Sequence, residues 1–307
     1  MTKLSLLLTS LLTLLLGCEA KAPYQRKDGA WYFEDVRLQD AALPFTPLNA
    51  SFAKGADAAW YRSTRIEGSD AASFEALDAH HAKDARRVYY GDTYRISQDY
   101  FTTQRVRVDA IAQADAPSFR LLPAQPGYAR DRSRAYFDGE PFKVADVESF
   151  EPLDHGFARD RVQGYYLRLQ IPGSDGASFV ALDSHYAKDG RQVFHVSTEP
   201  RRGNETVPRL LSVSLPQAQP ASFKLLEPGY AVDAGQAYYA GRVLTKDVAT
   251  FSALPFDYAK SATQVFHRGE PIAGADAASF ATLSPPTDAA DAGDATRRYR
   301  QGRVVAP

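Results

Sequence analysis

The chain has 307 residues, 44% of them apolar and 12% aromatic, enough to bury a core and too many for a compositionally disordered protein. Its 36 basic and 37 acidic residues nearly cancel, so charge points neither to nucleic acid nor to an anionic lipid surface. A single cysteine excludes an internal disulfide framework, and the sequence holds no CxxC or clustered Cys/His zinc pattern.

The first predicted element is a targeting segment. Lys3 precedes an apolar run from Leu4 to Leu16, closed by Gly17-Cys18. That run is too short for an ordinary spanning helix, so residues 1–17 read as a secretion signal. The stretch Leu15-Leu16-Gly17-Cys18 resembles the lipobox of bacterial lipoproteins. The resemblance implies cleavage before Cys18, lipidation of Cys18 and, because Glu19 is not an aspartate, sorting to the outer membrane. Acyl chains worth ~0.8 kcal/mol per buried CH₂ would hold such a protein on a membrane surface. A plain secreted protein or an uncleaved apolar anchor is the alternative. Residues 18–22 read as a tether.

Repeats follow, over 23–285. A phenylalanine with a leucine three positions later recurs at Phe45, Phe74, Phe119, Phe150, Phe179, Phe223, Phe251 and Phe280, with separations of 29, 45, 31, 29, 44, 28 and 29 residues. The order short, long, short recurs because a block is duplicated: 15 of the 22 residues from Gly68 to Tyr89 return at Gly173 to Phe194, a period of 105. About eight such units predict an architecture in which each buries its apolar face on its neighbours. Inside each unit an aromatic or histidine is followed eight positions later by another aromatic, as in Tyr128 and Tyr136 or Tyr230 and Tyr238, with a polar turn at Asp84, Asp131 or Asp189 between them. Asp-containing turns flanked by aromatic and β-branched residues predict a hairpin. Asp70, Asp146, Asp175, Asp247 and Asp276, each four residues before the Phe, predict a short capped helical turn. The fold class is therefore mainly β, tandem β-hairpin repeats with short helical turns in an open array, with a propeller-like ring as the alternative.

Segments reading FARD…GYY, HAKDARRVYY and YAVDAGQAYYAG, each followed by a Phe-x-x-Leu link, resemble the DKNYY repeat family of bacterial envelope proteins over about Asp28 to Leu283. Gly55 and Ser261 depart from the pattern where other units have the turn Asp. The resemblance implies no established activity, so no catalytic residue carries over.

The residues themselves offer few candidates for chemistry. His80, His81, His155, His185, His195 and His267 fall at varied repeat positions and form no convergent set, which predicts ring packing and not metal or general-base sites. The aspartates lack a DxDxDG loop, and capping explains them without calcium. Ser73, Ser149 and Ser178 belong to the turn before the Phe, and no GxSxG elbow is present. No cofactor, no metal and no catalytic residue is expected.

Two features are candidates for binding. The second member of each aromatic pair, Tyr90, Phe137, Tyr166, His195, Tyr239 and His267, forms a ladder that could stack on sugars or peptides if exposed, and that otherwise packs between repeats. The two long units carry about fifteen extra residues, expected to form an added strand after a polar loop. Their basic residues Arg105, Arg107, Arg201, Arg202 and Arg209 form a candidate rim. A solvated hairpin without a partner is the alternative. The tail 286–307, with Asp294 five residues before Tyr299, reads as a degenerate half-repeat capping the array. The chain is thus expected to be a lipid-anchored envelope protein, at the outer membrane facing periplasm or cell surface, that binds an envelope protein or glycan and no nucleic acid. The alternative is an envelope enzyme or glycan-binding factor whose site forms across repeats.

Overall fold

The computed structural model describes residues 22–41, 43–95, 104–199, 209–226, 229–287 and 289–305. These residues fold into nine small antiparallel sheets in chain order, at 24–37, 46–66, 75–110, 120–142, 151–170, 180–215, 224–245, 252–271 and 281–305. The first sheet has three strands and each of the others four. None closes into a barrel. The chain divides into two compact lobes after Ala110, with sheets one to three in the first and four to nine in the second. The sequence pattern runs through this boundary without a break and so does not announce it.

The fifth sheet shows how a repeat forms. Its strands are Glu151–Pro152, Phe157–Arg159, Gly164–Tyr166 and Leu169–Gln170. The two central strands are the predicted hairpin, in register Phe157 to Tyr166. Asp160 closes it, because its Oδ1 accepts the N–H groups of Val162 and Gln163 at 2.8 and 2.9 Å, a side-chain copy of a backbone turn. The next turn is tighter. Its first residue, Leu167, holds φ 54°, and in the fourth sheet Asp138 (49°) and Gly139 (74°) both hold positive φ, the conformation that matches the twist of a two-residue hairpin. The flanking strands of two to four residues were not foreseen. The first is the segment after the Phe, and the last follows the tight turn.

Sheets within a lobe pack face to face through the phenylalanine ruler. Phe179 is fully buried between Phe157 and Phe194, with ring centroids 6.0 Å from each. Polar pins reinforce the joints. The Tyr128 hydroxyl lies 2.9 Å from the carbonyls of both Gly156 and Leu167 on the next sheet and shares its one proton between them, and Tyr24 reaches Ser51 and Arg62 in the same way. At the other end of the strand, Arg159 donates to the Phe179 carbonyl, Lys188 to Pro220 and Lys260 to Phe280, at 3.1, 2.7 and 2.8 Å. At these three sites the Lys or Arg before the turn residue therefore holds the following link.

Three expectations are corrected. Among the described residues the long repeats contain no added strand; their last hairpin is lengthened instead, pairing Val88–Tyr94 with Arg105–Ala110 and Val193–Glu199 with Arg209–Leu215. Of the five predicted helical turns only Gly176–Ser178, after Asp175, is a 3₁₀ helix, and Asp175 makes no side-chain cap to its backbone. Asp175 instead accepts from the Ser178 hydroxyl at 2.6 Å, whereas Asp70, Asp146 and Asp276 do accept the N–H two residues on, at 3.1, 3.0 and 3.1 Å. The tail is no half-repeat: Ala292–Gly293, Arg298–Arg300 and Arg303–Val305 join Ala281–Thr282 in a complete ninth sheet.

The end sheets differ on one face. The first carries Gln25 and Lys27 where later sheets have the buried Ala and Asp, such as Ala158 and Asp160. The ninth carries Asp291, Gly293, Arg298 and Arg300 at positions where the eighth has Tyr258, Lys260, Val265 and His267.

Candidate functional site

The polar groups that recur most regularly form a network in the third, fourth, fifth, seventh and ninth sheets. In the third sheet, Asp84 is buried and accepts four hydrogen bonds: Oδ1 from the N–H groups of Arg86 and Arg87 at 2.8 Å, and Oδ2 from the Tyr89 hydroxyl at 2.7 Å and the Asp70 N–H at 3.0 Å. Asp70 in turn accepts from the Ser73 hydroxyl at 2.7 Å, and Ser73 Oγ accepts the Ala85 N–H at 2.9 Å. The Asp–Tyr pair recurs at Asp131, Asp160, Asp233 and Asp294 with Tyr136, Tyr165, Tyr238 and Tyr299 at 2.5, 2.6, 2.7 and 2.5 Å, and at Asp233 the link residue that donates its N–H is Gln219 and not an Asp. The spacing is five residues each time, which places the carboxylate at the turn directly over the ring's hydroxyl.

Electrostatics follow from this geometry. Burial alone would raise the Asp84 carboxyl, but hydrogen bonds from Asp70, Tyr89, Arg86 and Arg87 overcome it and hold the group below the usual carboxylate range. Asp131, Asp160, Asp233 and Asp294 are lowered by the same balance. Their tyrosines move the other way: burial first, then the adjacent carboxylate, pushes Tyr89 and Tyr299 up to about 12. A phenol this far above neutrality and a carboxylate with filled acceptor sites are poorly suited to exchange protons with a substrate.

The ladder residues are packing groups. Tyr90, Phe137, Tyr166, His195, Tyr239 and His267 are half-buried, each 4.7 to 5.0 Å from an aromatic or His ring on the neighbouring strand of its own sheet. The following sheet meets Tyr239 with Gly269, whose added Cβ would lie 2.6 Å from the ring, at φ +75°. His195 and His267 meet Gly241 and Gly302 of the following sheet in the same way, so these three rings are engaged between repeats. Burial, and then the neighbouring His185, pulls His195 down to about 4.

Of the candidate rim, Arg105 and Arg107 are exposed on the edge strand of the third sheet, with Arg107 3.6 Å from Asp109. Arg209 opens the last strand of the sixth sheet, opposite Glu199, in the other lobe. Arg201, Arg202 and Cys18 lie outside the described residues. Among the described residues no three His, Cys, Asp or Glu side chains come together to hold a metal ion. The sequence inspection passed over Asp115, although it stands four residues before Phe119 like the others; it accepts from the Ser118 backbone and from Arg132. It also missed the hydroxyl pins of Tyr24, Tyr128, Tyr186, Tyr230 and Tyr258, for which the recurrence of Tyr at the first aromatic position was the available signal.

Four-stranded sheets repeated in tandem, stapled by an Asp-x-x-x-x-Tyr pair, define a β-repeat protein whose regular polar groups are structural. The profile of the DKNYY family matches residues 52–167, 94–242 and 157–302, and the chain belongs to that family. No curated protein and no solved structure gives a significant match.

Proposed function

We propose that the chain is a non-catalytic binding or scaffold lipoprotein of the bacterial envelope, held at the outer membrane through Cys18. The observation that carries the non-catalytic part is the Asp–Tyr–Ser network. The acids and hydroxyls that repeat along the chain have their donors and acceptors filled within the fold. Support for the anchor comes from Lys3, the apolar run to Leu16 and Gly17-Cys18. Among the described residues no helix is long and apolar enough to cross a membrane. The long hairpins of the third and sixth sheets are the contact surfaces in this proposal, with Arg105, Arg107, Arg201, Arg202 and Arg209 drawing an acidic envelope protein or anionic glycan.

Two measurements test the proposal. Metabolic labelling with a fatty acid should mark the parent and not Cys18→Ser; equal labelling ends the lipoprotein reading. Crosslinking in cells should recover partners that disappear when residues 96–103 or 200–208 are replaced by a short turn. An unchanged set of partners removes the hairpins from the binding surface.

A further inference from the structure

The long hairpin of the third sheet ends in an open edge. Among the described residues, the outermost strands of the nine sheets are two to four residues long, except Arg105–Ala110 and Arg209–Leu215. Shortness is one protection of a sheet edge, and proline, which has no N–H to offer, is another. Pro47, Pro141, Pro152 and Pro271 stand in such outer strands. The six residues Arg105–Ala110 have neither protection.

Register decides which of their groups are available. The Gly91 N–H donates to the His80 carbonyl at 2.7 Å. Tyr89 and Gly91 therefore turn their backbone groups toward His81–Lys83, and alternation turns those of Tyr90, Asp92 and Tyr94 toward the outer strand. These three face Asp109, Arg107 and Arg105. The N–H and C=O groups of Val106, Val108 and Ala110 thus point away from the sheet, with no further strand beside them among the described residues. Side chains alternate too. Arg107 and Asp109 are exposed on one face, while Val106 and Val108 are half-buried on the other, against the core that contains Phe52, Tyr61 and Tyr89.

These constraints select an occupant. A second copy of the strand can run antiparallel to the first about a two-fold axis at Val108, with Val106 opposite the partner's Ala110, so that outward backbone groups meet outward backbone groups. Between them Arg107 lies opposite the partner's Asp109, and Asp109 opposite the partner's Arg107, at the closer spacing of a pair without backbone hydrogen bonds. An axis at residue 107 or 109 would instead set Arg107 or Asp109 against its own counterpart. Charge therefore favours a single register, whereas Arg209–Leu215 holds no acidic residue to define one. Within one copy Arg107 and Asp109 lie 3.6 Å apart at the surface, a contact that pairing exchanges for two across the edge. We infer that the chain forms a symmetric dimer by pairing Arg105–Ala110 with the same strand of a second copy, which joins two four-stranded sheets edge to edge. Such a contact uses one surface on both copies and closes at two. The inference goes beyond the function proposed above and uses neither Cys18 nor an envelope partner.

Sedimentation velocity of the purified full chain follows the dimer, expected with a Kd of about 100 µM or tighter. Arg107→Asp and Asp109→Arg each place like charges opposite one another and should each weaken it about tenfold or more. An equal mixture of the two single variants restores opposite charges across the edge, as does the double variant, and both should recover the parent's association. Ala110→Pro removes an outward N–H and should weaken pairing with no change of charge. Near-UV circular dichroism checks folding; Arg107 and Asp109 are exposed, so their exchange leaves the core intact. A parent that stays monomeric at several times that concentration overturns the inference. So does a dimer that the single variants leave equally tight, as association through residues 1–18 would. A mixture and double variant that both stay monomeric overturn the register. None of these outcomes alters the fatty-acid labelling or the crosslinking in cells, so the two proposals fail separately.

Discussion

The third and sixth sheets come from the same duplicated block, yet they close their joints differently. In the third, Asp84 accepts four hydrogen bonds, one of them from Tyr89. In the sixth, Phe194 replaces that tyrosine and Asp189 keeps only three, from the N–H groups of Asp175, Arg191 and Gln192 at 2.8, 2.7 and 2.7 Å. The sheets nevertheless adopt the same four-stranded order. The Asp-centred turn therefore sets the geometry, and the phenol adds stability to a turn already formed. A second exchange accompanies the first. The sheets before them offer Phe52 and Phe157, which have no hydroxyl pin, and His80 and His185 instead approach the carbonyls of Gly91 and Val196 with Nδ1, at 2.9 and 3.4 Å. These carbonyls correspond to those that Tyr24 and Tyr128 take at Arg62 and Leu167.

The largest effect should be common to both sheets. Phe74 and Phe179 occupy the same buried position, so Phe74→Ala and Phe179→Ala should each cost about 3–5 kcal/mol in urea unfolding. A loss within error at either site would show that the ruler is not core there. The next effect separates the sheets. Asp84→Ala strands one more donor than Asp189→Ala and should cost more by about 1.5–3 kcal/mol, the worth of a hydrogen bond to a charged group. Conversely, Phe194→Tyr should stabilise the sixth sheet by roughly 0.5–1.5 kcal/mol; no gain would place the hydroxyl outside the reach of Asp189.

A pH dependence should further separate the sixth sheet from the third. His195 stands where the third sheet has Tyr90, stacked 5.9 Å from His185 and facing Gly241 of the seventh sheet; Asp183 and Tyr186 are its other titratable neighbours. Because burial lowers its folded value from the ordinary 6.5 to about 4, the unfolded chain binds the proton first. Its stabilisation is complete above pH 6.5 and is lost as pH falls toward 4. Amide exchange at 193–199 should therefore quicken across that window in the parent and not in His195→Tyr. Equal acceleration in both would assign the effect to carboxylates elsewhere.

Much of this was legible because side-chain chemistry and spacing coincide. The Phe ruler and the aromatic pair eight residues apart mark core positions, and an Asp two residues before an exposed turn declares it. The outer strands were not legible. Stretches such as Leu169–Gln170 are two residues long, too short for alternation to register, and they are strands only because the central hairpin offers them an edge. The exposure of Tyr166 and His195 was also undecidable from alternation, which says that a ring points to the opposite face but not that another sheet covers it. At the first joint the signal was present as departures, Gly55 for the turn Asp and Trp60 for the aromatic five residues on.

Faces that stack on one another within a chain can also stack on a second copy, and such head-to-tail contacts do not close into a ring by symmetry; they grow into fibres. The first sheet meets that hazard with Gln25 and Lys27 and the ninth with Arg298 and Arg300, which are charged or polar where a joint requires alanine, valine or an aromatic ring. Two such chains meeting end on would have to strip water from guanidinium and ammonium groups and disturb the contacts these already make, Lys27 with Asp35 and Arg300 with the Thr287 carbonyl. A handful of side chains on two outer faces thus protects a protein made of mutually adhesive parts from polymerising.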